Sequence, residues 1–244
     1  MKKSLLWVCL LLLSCCGNNE PTYKIGVDDL WYPLEIPGKE MNVLGFSTDL
    51  LQEIARSQKL QLILVYQSWD NLLEGLNKKQ YEGALSSLRP YNFNEKKYDF
   101  SNLYLMTGHV LVVPVDSPLD SLDMLNGKEI GFPEGSHEDS LLVNAPGVLP
   151  RSYRSVSQAL NDILDGSLDG ALVDYLSAQS YIQDLYAGML RITTAPLTDL
   201  GLRLVTLKSE PDTLIKAFDA GLKEAIDNGT YAKLAAKWGL PPLP

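Results

Sequence analysis

The sequence predicts an α/β protein built from two similar lobes, because it contains an internal repeat whose two copies each combine a helix with a strand. Residues 68–87 align without a gap on residues 155–174, so that Ser87 lines up with Asp174. In both copies apolar residues recur at the i, i+3, i+4, i+7 spacing of a buried helix face, and Gly-Ala-Leu then enters a short apolar strand. A chain of 244 residues is long enough for two such lobes.

Polar residues follow both short strands of the repeat. Ligands of open α/β sheets bind beyond the carboxyl ends of the strands. Ser86, Ser87 and Arg89 leave one such end, and Asp174 leaves the equivalent end of the other copy. The sequence therefore predicts a hydroxyl pair and a guanidinium that face a carboxylate across a cleft. The alternative is that these are ordinary polar residues at strand ends.

The remaining elements follow from local signals. Strands are predicted at 24–27, 60–66, 104–115, 129–132 and 202–207, with 92–102 as loop or helical turn. Helices are predicted at 50–55 capped by Ser47 or Thr48, after Ser68 and Ser155 in the repeat, and at 121–127, 177–185, 212–227 and 230–238. We expect the run at 104–115 to cross between the lobes and the last two helices to pack back on the first lobe. The chain would then cross the hinge twice.

Composition and charge exclude some classes of function. The chain is 45% hydrophobic and 21% charged, which is typical of a soluble globular protein. Its net charge is −9, and it has no cluster of Lys and Arg of the kind that nucleic-acid binding requires. The acidic balance is compatible with a cationic ligand.

The N-terminal segment, residues 1–16, predicts export and lipidation. Two lysines precede an apolar run at 5–13, which is far shorter than the roughly 20 residues of a membrane-spanning helix. The residues that follow resemble a bacterial lipobox, with Cys16 preferred over Cys15 as the acylated residue; an ordinary secretory signal is the alternative. Residues 17–22 would form a tether. All three cysteines precede residue 17, so the folded body has no disulfide and no cysteine metal site.

Several short motifs occur in an order and spacing typical of one family. They are Lys24 to Asp28 before Trp31-Tyr32-Pro33, Gly45-Phe46, Ser68-Trp69-Asp70, Asp99-Phe100-Ser101, Ser121 to Lys128, Gly135-Ser136, Leu168 to Ala171, and Asp227 to Tyr231 before Trp238. Over about residues 23 to 240 the chain resembles the bacterial family 3 solute-binding proteins, the periplasmic receptors of polar amino-acid ABC transporters. The resemblance implies a two-lobed type II periplasmic-binding-protein fold. Each lobe would hold a mixed sheet flanked by helices, with two hinge crossovers.

The resemblance also implies lobe boundaries and a ligand. Residues 23–108 and 198–244 would form the first lobe and residues 109–197 the second, closing on one amino acid. Asp174 matches the aspartate that binds the ligand's ammonium group. The alternative is a helix N-cap before Tyr175, which is compatible with that role. The turn at Ser136 and His137 matches the one whose N–H groups and hydroxyl meet the ligand's carboxylate, with plain helix capping by Ser136 as the alternative.

Three further positions match the family's side-chain pocket. Trp31 and Trp69 match its two aromatic walls, with core packing as the alternative for each. Asp28 matches a position that binds the ligand's cationic side chain in receptors for basic amino acids. A lysine or arginine side chain near these indole faces could gain a cation–π contact.

The chain departs from the family pattern at the arginine that clamps the ligand's α-carboxylate, because that position is Asn94. Arg89 stands five residues earlier and is our hypothesis for a replacement clamp, since its charge-assisted hydrogen bonds could reach the carboxylate. The alternative is that Arg89 is a surface residue. The ligand would then be better explained as a peptide, an amine, or an acid that the protein recognises through the ligand's side chain.

The leading prediction is a lipid-anchored, monomeric binding protein that serves an ABC permease. We expect it in the periplasm or at the outer face of the cytoplasmic membrane, and we expect no cofactor or metal. The chain contains no HExxH or GxSxG motif and no evident nucleophile–base pair. The alternative is a cyclohexadienyl or arogenate dehydratase on the same fold, in which Glu134, Glu138 or Asp174 would serve acid–base chemistry. A sensor domain is a third class, which the lipobox disfavours.

Overall fold

The computed structural model describes residues 20–28, 30–31, 38–134, 141–142 and 145–243. The predicted leader with Cys15 and Cys16 lies outside these residues, and so do Ser136, His137 and Glu138. Each helix in the described ranges is too short or too polar to span a bilayer.

The described residues form eleven strands. They are β1 Thr22–Val27, β2 Gln61–Tyr66, β3 Gly83–Ser86, β4 Tyr98–Phe100, β5 Leu105–Met106, β6 His109–Pro114, β7 Glu129–Pro133, β8 Leu149–Tyr153, β9 Gly170–Asp174, β10 Leu190–Ile192 and β11 Gly201–Leu207.

The same part of the chain forms six α-helices and one short 3₁₀ helix. The α-helices are α1 Glu40–Gln58, α2 Trp69–Asn77, α3 Val156–Leu164, α4 Tyr175–Asp184, α5 Thr213–Asp227 and α6 Thr230–Lys237, and the 3₁₀ helix is Leu122–Leu125.

Two mixed sheets organise these elements, and their strand orders correspond. The first sheet has the order β2-β1-β3-β11-β4, with β5 also paired to β11, and the second has the order β10-β6-β9-β7-β8. In each sheet the strand of the repeat has a parallel neighbour on one side and an antiparallel neighbour on the other. The predicted α/β class with two mixed sheets is therefore confirmed.

The register shows that the internal repeat is a structural repeat. Ile25 of β1 pairs with Gly83 of β3, and Ile130 of β7 pairs with Gly170 of β9. The glycines of the repeat thus meet the same residue type at the same place in both sheets. The two copies are one backbone unit used twice.

The two repeat helices bury the predicted apolar stripes but begin differently. Leu72 and Leu76 of α2 are buried, as are Ala159, Leu160 and Ile163 of α3. The Ser155 hydroxyl accepts the Gln158 N–H at 3.3 Å and caps α3. Ser68 precedes α2 without a side-chain cap, and its hydroxyl instead accepts the Asn71 side-chain amide at 3.0 Å.

The C-terminal helices pack on the first sheet. Phe218 of α5 and Tyr231 of α6 belong to the same buried cluster as Phe46 of α1 and Leu204 of β11. The rings of Phe46 and Tyr231 meet edge to face with their centroids 5.3 Å apart. This arrangement brings the end of the chain back to the lobe in which it began.

The chain passes between the sheets twice, after β5 and before β11, and the two crossings lie side by side. The Thr107 N–H donates to the Leu200 carbonyl at 2.8 Å, and the Leu197 N–H donates to the His109 carbonyl at 2.7 Å. A Cβ atom on Gly108 would stand 2.2 Å from the Thr198 carbonyl oxygen. The predicted lobe boundaries, 108/109 and 197/198, stay a prediction at these crossings.

Some local predictions were wrong. Helix α1 begins at Glu40, because Val43 and Phe46 extend its buried face toward the N-terminus, and Ser47 and Thr48 therefore lie inside the helix. The Thr48 hydroxyl donates to the Leu44 carbonyl at 2.8 Å. The run at 92–102 contains turns and strand β4. Strands β8 and β10 were missed, since β8 has four exposed residues in five and β10 has only three residues.

Candidate ligand-binding site

Two serines stand at the carboxyl end of β3. Ser86 is buried, and its hydroxyl accepts the Leu88 N–H at 3.1 Å. The Ser87 hydroxyl oxygen is also buried, and among the described residues it has no hydrogen-bond partner. A buried hydroxyl without a partner carries a desolvation cost, which a ligand or water oxygen at this place would remove.

Arg89 follows these serines as a half-buried cation. Its Nη1 donates to the Tyr91 hydroxyl at 2.6 Å, and its guanidinium carbon lies 5.7 Å from the centre of the Tyr91 ring. In the part of the chain that the structure describes, Arg89 forms no salt bridge with a carboxylate. The guanidinium therefore has donors available for an anion at this strand end.

Asn94 does not extend away from this loop. Its side-chain amide donates to the Arg89 carbonyl at 2.8 Å, and the Tyr91 N–H donates to the same carbonyl at 2.8 Å. The amide is thus used to fold the loop around Arg89. A direct contact between Asn94 and a ligand stays a prediction.

Asp174 ends β9 and at the same time caps α4. Its Oδ1 accepts the Ser177 N–H at 2.9 Å, in the first turn of the helix. The partial positive charge of a helix N-terminus attracts a carboxylate at this position. Asp174 also lies directly opposite His109 in the antiparallel pair of β9 and β6.

The start of α4 lies against the first lobe. Leu176, two residues after Asp174, is buried in the cluster that contains Trp31 and Phe46. Burial raises the pKa of the Tyr231 phenol, and the neighbouring Tyr175 phenol adds to the rise. Asp174 therefore leaves the second sheet at a point where the second lobe meets the first.

Asp28 and Trp31 follow the end of β1, and Trp69 follows the end of β2. Asp28 is only 3% exposed, and its Oδ1 accepts the Leu30 N–H at 3.2 Å. Trp31 has φ of +59°, is 2% exposed, and donates from Nε1 to the Glu40 carbonyl at 3.3 Å. Its burial is what the core-packing alternative predicts. Trp69 begins α2, is half-buried, and packs on the cluster around Leu72.

The structure thus gathers two groups of predicted residues. Asp28, Ser86, Ser87 and Arg89 share the carboxyl edge of the first sheet, because β1 and β3 are parallel neighbours, and Asp174 stands at the corresponding edge of the second sheet. Glu134 follows β7 and is exposed. The described side chains include no group of three or more His, Cys, Asp or Glu residues placed to hold a metal ion.

The sequence reasoning missed Tyr91. A tyrosine next to proline in a polar loop carries no periodic signal, and only the folded loop shows that its hydroxyl and ring both meet the guanidinium. The order Arg-Pro-Tyr is a weak hint, because proline restricts the residue before it to extended conformations.

The described residues thus form an α/β protein with two corresponding mixed sheets and with polar and charged residues at equivalent strand ends. The sequence model of the bacterial extracellular solute-binding proteins, family 3, matches residues 23–241. The chain belongs to this family. The expected type II periplasmic-binding-protein fold is confirmed.

Curated relatives of the chain are amino-acid-binding proteins. The arginine-binding extracellular protein ArtP of Bacillus subtilis is 26% identical over 98% of this chain and 98% of its own length. The L-cystine-binding protein TcyJ of Escherichia coli is 26% identical over 89% of this chain and 82% of its own. The lysine/arginine/ornithine-binding periplasmic protein of Escherichia coli is 27% identical over 98% and 97%.

Solved structures share the fold. The L-cystine solute receptor of Neisseria gonorrhoeae, in an unliganded open conformation, aligns with a TM-score of 0.74 at 20% identity, over 91% of this chain and 94% of the receptor. The second substrate-binding domain of GlnP from Lactococcus lactis aligns with a TM-score of 0.68 at 20% identity, over 90% and 96%.

Proposed function

We propose that the chain is the lipid-anchored substrate-binding component of an ABC transporter, and that it captures a polar amino acid, by preference a basic one, between two closing lobes. The observation that carries the proposal is the pair of equivalent strand ends. One presents a buried hydroxyl and a guanidinium, at Ser87 and Arg89, and the other presents the carboxylate of Asp174. An amino-acid zwitterion needs this combination, and holding it reversibly needs no catalytic group.

Each end of the zwitterion has a partner in this proposal. The Asp174 carboxylate accepts from the ligand's ammonium. Ser87 and Arg89 donate to the ligand's α-carboxylate, with the Ser136-His137 turn as a further donor. Hydrogen bonds to charged groups contribute about 1.5–3 kcal/mol each, so either end alone would bind weakly.

The preference for a basic side chain rests on charge. Asp28 is a buried carboxylate at the same sheet edge as Arg89, and the chain as a whole carries a net charge of −9. Two carboxylates and one guanidinium complement a ligand with two cationic groups and one carboxylate. Relatives are named for arginine and for lysine, arginine and ornithine.

L-Cystine is the second candidate ligand. It carries two ammonium groups and two carboxylates, so Asp28 and Asp174 could each accept from one ammonium. A relative and a structural neighbour are both named for this amino acid. Trp69, half-buried at the start of α2, would line the side-chain pocket for either ligand.

The proposed membrane anchor and cellular location follow from the N-terminal segment. Acylation of Cys16, or of Cys15, would leave a tether of a few residues before β1 begins at Thr22. The lobes would then stand on the outer face of the cytoplasmic membrane, where a closed, monomeric receptor meets the permease. Residues 23–108 with 198–244 form one lobe and residues 109–197 the other in this proposal.

Thermal unfolding with added ligand tests the proposal. Residues 19–244 contain both sheets and all the described helices, and they would be heated with each of the twenty amino acids, ornithine, cystine, short peptides and prephenate. A ligand at a hundredfold over Kd adds about 2.7 kcal/mol, which raises Tm by roughly 5–10 °C for a chain of this size. A shift with one basic amino acid or cystine is the expected result. No shift with any amino acid, or turnover of prephenate, would contradict the proposal.

A further inference from the structure

The backbone of Arg89 is held by its own loop. Its carbonyl accepts two donors, the Tyr91 N–H and the Asn94 side-chain amide, both at 2.8 Å. Pro90 follows it directly, and a proline both fixes its own φ and restricts the preceding residue to extended conformations. The point from which the Arg89 side chain departs is therefore fixed.

The guanidinium is held as well. Tyr91 accepts from Nη1 at 2.6 Å, and the ring of the same residue lies 5.7 Å from the guanidinium carbon. The Tyr91 ring in turn lies 5.7 Å from the ring of Phe93. Tyr91 thus contacts the guanidinium both through its hydroxyl and through its ring. Within the described ranges the guanidinium forms no salt bridge, so its other N–H groups can donate to an anion.

We propose that Tyr91 and Asn94 are positioning residues that hold Arg89 in the orientation in which it clamps the ligand's α-carboxylate. The inference rests on the proposed function, because it assigns Arg89 an anionic partner. A free arginine side chain loses much rotamer freedom when it binds, and prior fixing by its neighbours lowers that cost. Neither Tyr91 nor Asn94 needs to touch the ligand for this effect.

The test compares two forms of the same amino acid by isothermal titration calorimetry of residues 19–244. The probes are L-arginine, L-lysine, L-ornithine, L-histidine, L-glutamine and L-cystine, together with the α-carboxamide of each one that binds. The carboxamide keeps the ammonium and the side chain but has no negative charge for Arg89. Tyr91→Phe keeps the ring and removes the hydroxyl, and Asn94→Ala removes the amide.

We expect each variant to bind the amino acid about twofold to tenfold more weakly, which corresponds to the loss of one ordinary hydrogen bond. Binding of the carboxamide should be unchanged. In an Arg89→Ala background, neither substitution should have any further effect. Tyr91→Phe is conservative in shape, so it remains informative if Asn94→Ala fails to fold.

Matched controls are available in the second lobe, where the Tyr186 hydroxyl donates to Asn161 Oδ1 at 2.9 Å. Tyr186→Phe and Asn161→Ala break that bond and should leave both affinities unchanged. Wild-type affinity in the Tyr91→Phe and Asn94→Ala variants would overturn this inference but not the proposed function. Equal weakening toward amino acid and carboxamide would also overturn it, because it would show a merely structural role. A wild-type chain that binds no amino acid would overturn the proposed function, and the inference with it.

Discussion

The two strand ends of the internal repeat share a backbone and differ in chemistry. At the end of β3 the chain continues into a loop that carries the Arg89 guanidinium and the buried Ser87 hydroxyl, which has no hydrogen-bond partner among the described residues. At the end of β9 a helix starts at once, and Asp174 is both the last strand residue and the helix cap. Donors for an anion thus stand at one end, and an acceptor for a cation stands at the other.

This difference shows which residues specify the fold and which specify the site. The shared register depends on the buried isoleucines and on the glycines opposite them, Ile25 with Gly83 and Ile130 with Gly170. Ser87 lies just beyond β3, whereas Asp174 is the last residue of β9 and pairs with His109 at the end of the ladder. Both positions lie at the end of their strand, away from the paired isoleucines and glycines, so they can carry different polar groups without a change in the shared register.

The largest effect is expected for the carboxylate end. Asp174→Asn keeps a residue that caps helices well but removes the negative charge, so α4 should persist while the ligand's ammonium loses its ionic partner. Loss of a charge-assisted bond of about 1.5–3 kcal/mol predicts affinity weaker by roughly tenfold to a hundredfold or more in calorimetric titration.

Asp212→Asn is the control for this substitution. Asp212 precedes α5 at an exposed position and pairs with Lys216 at 2.8 Å. Its replacement should leave affinity unchanged. If the Asp174→Asn variant bound the ligand as tightly as the wild-type chain, the Asp174 carboxylate would not be the partner of the ligand's ammonium.

The next effect is expected at the opposite end. Arg89→Ala should weaken binding of the amino acid by about tenfold or more, and Arg89→Lys should recover only part of the loss, because an ammonium cannot form the planar bidentate pair. Arg151 also lies over a tyrosine ring, with its guanidinium carbon 5.5 Å from the centre of Tyr153. Arg151→Ala is therefore a matched control, and an equal loss there would contradict the clamp.

A smaller effect, on the free energy of unfolding, is expected when equivalent glycines of the two sheets are replaced by alanine. A Cβ on Gly26 would stand 2.5 Å from the buried Tyr81 ring, whereas one on Gly131 would stand 2.7 Å from a terminal methyl of Leu168. An aliphatic side-chain end can move more readily than a buried ring. Gly26→Ala should cost about 1–3 kcal/mol of unfolding free energy and Gly131→Ala less, measured by urea denaturation. The reverse order would show that the second sheet is the more rigid.

The smallest effect compares the two helix starts. Ser155→Ala removes a side-chain cap and should cost about 1 kcal/mol, whereas Ser68→Ala removes a hydroxyl that accepts only the Asn71 side-chain amide and caps no backbone N–H, so it should cost less. Urea denaturation of both variants measures the difference. Equal costs would mean that the two helices begin in the same way in solution.

The sequence predicted the repeat, most of the elements and the fold class, because these depend on apolar spacing and on glycine at fixed places. The start of α1 could not be predicted, because the residues before Gly45 are mostly polar and do not show that Val43 belongs to the buried helix face. The sequence could not show that the Asn94 amide is used on the Arg89 carbonyl, because the two residues come together only when the loop folds. Trp31 is likewise buried in a cluster that includes residues of α5 and α6, which are distant in sequence.

A crystal structure of residues 19–244 with the amino acid that raises Tm most would show directly how the two strand ends share the ligand. We expect one zwitterion between the lobes, with its ammonium nitrogen within hydrogen-bond distance of Asp174 and its α-carboxylate within hydrogen-bond distance of Ser87 and the Arg89 guanidinium. An α-carboxylate that contacts neither Ser87 nor Arg89, or an ammonium that does not reach Asp174, would contradict this expectation.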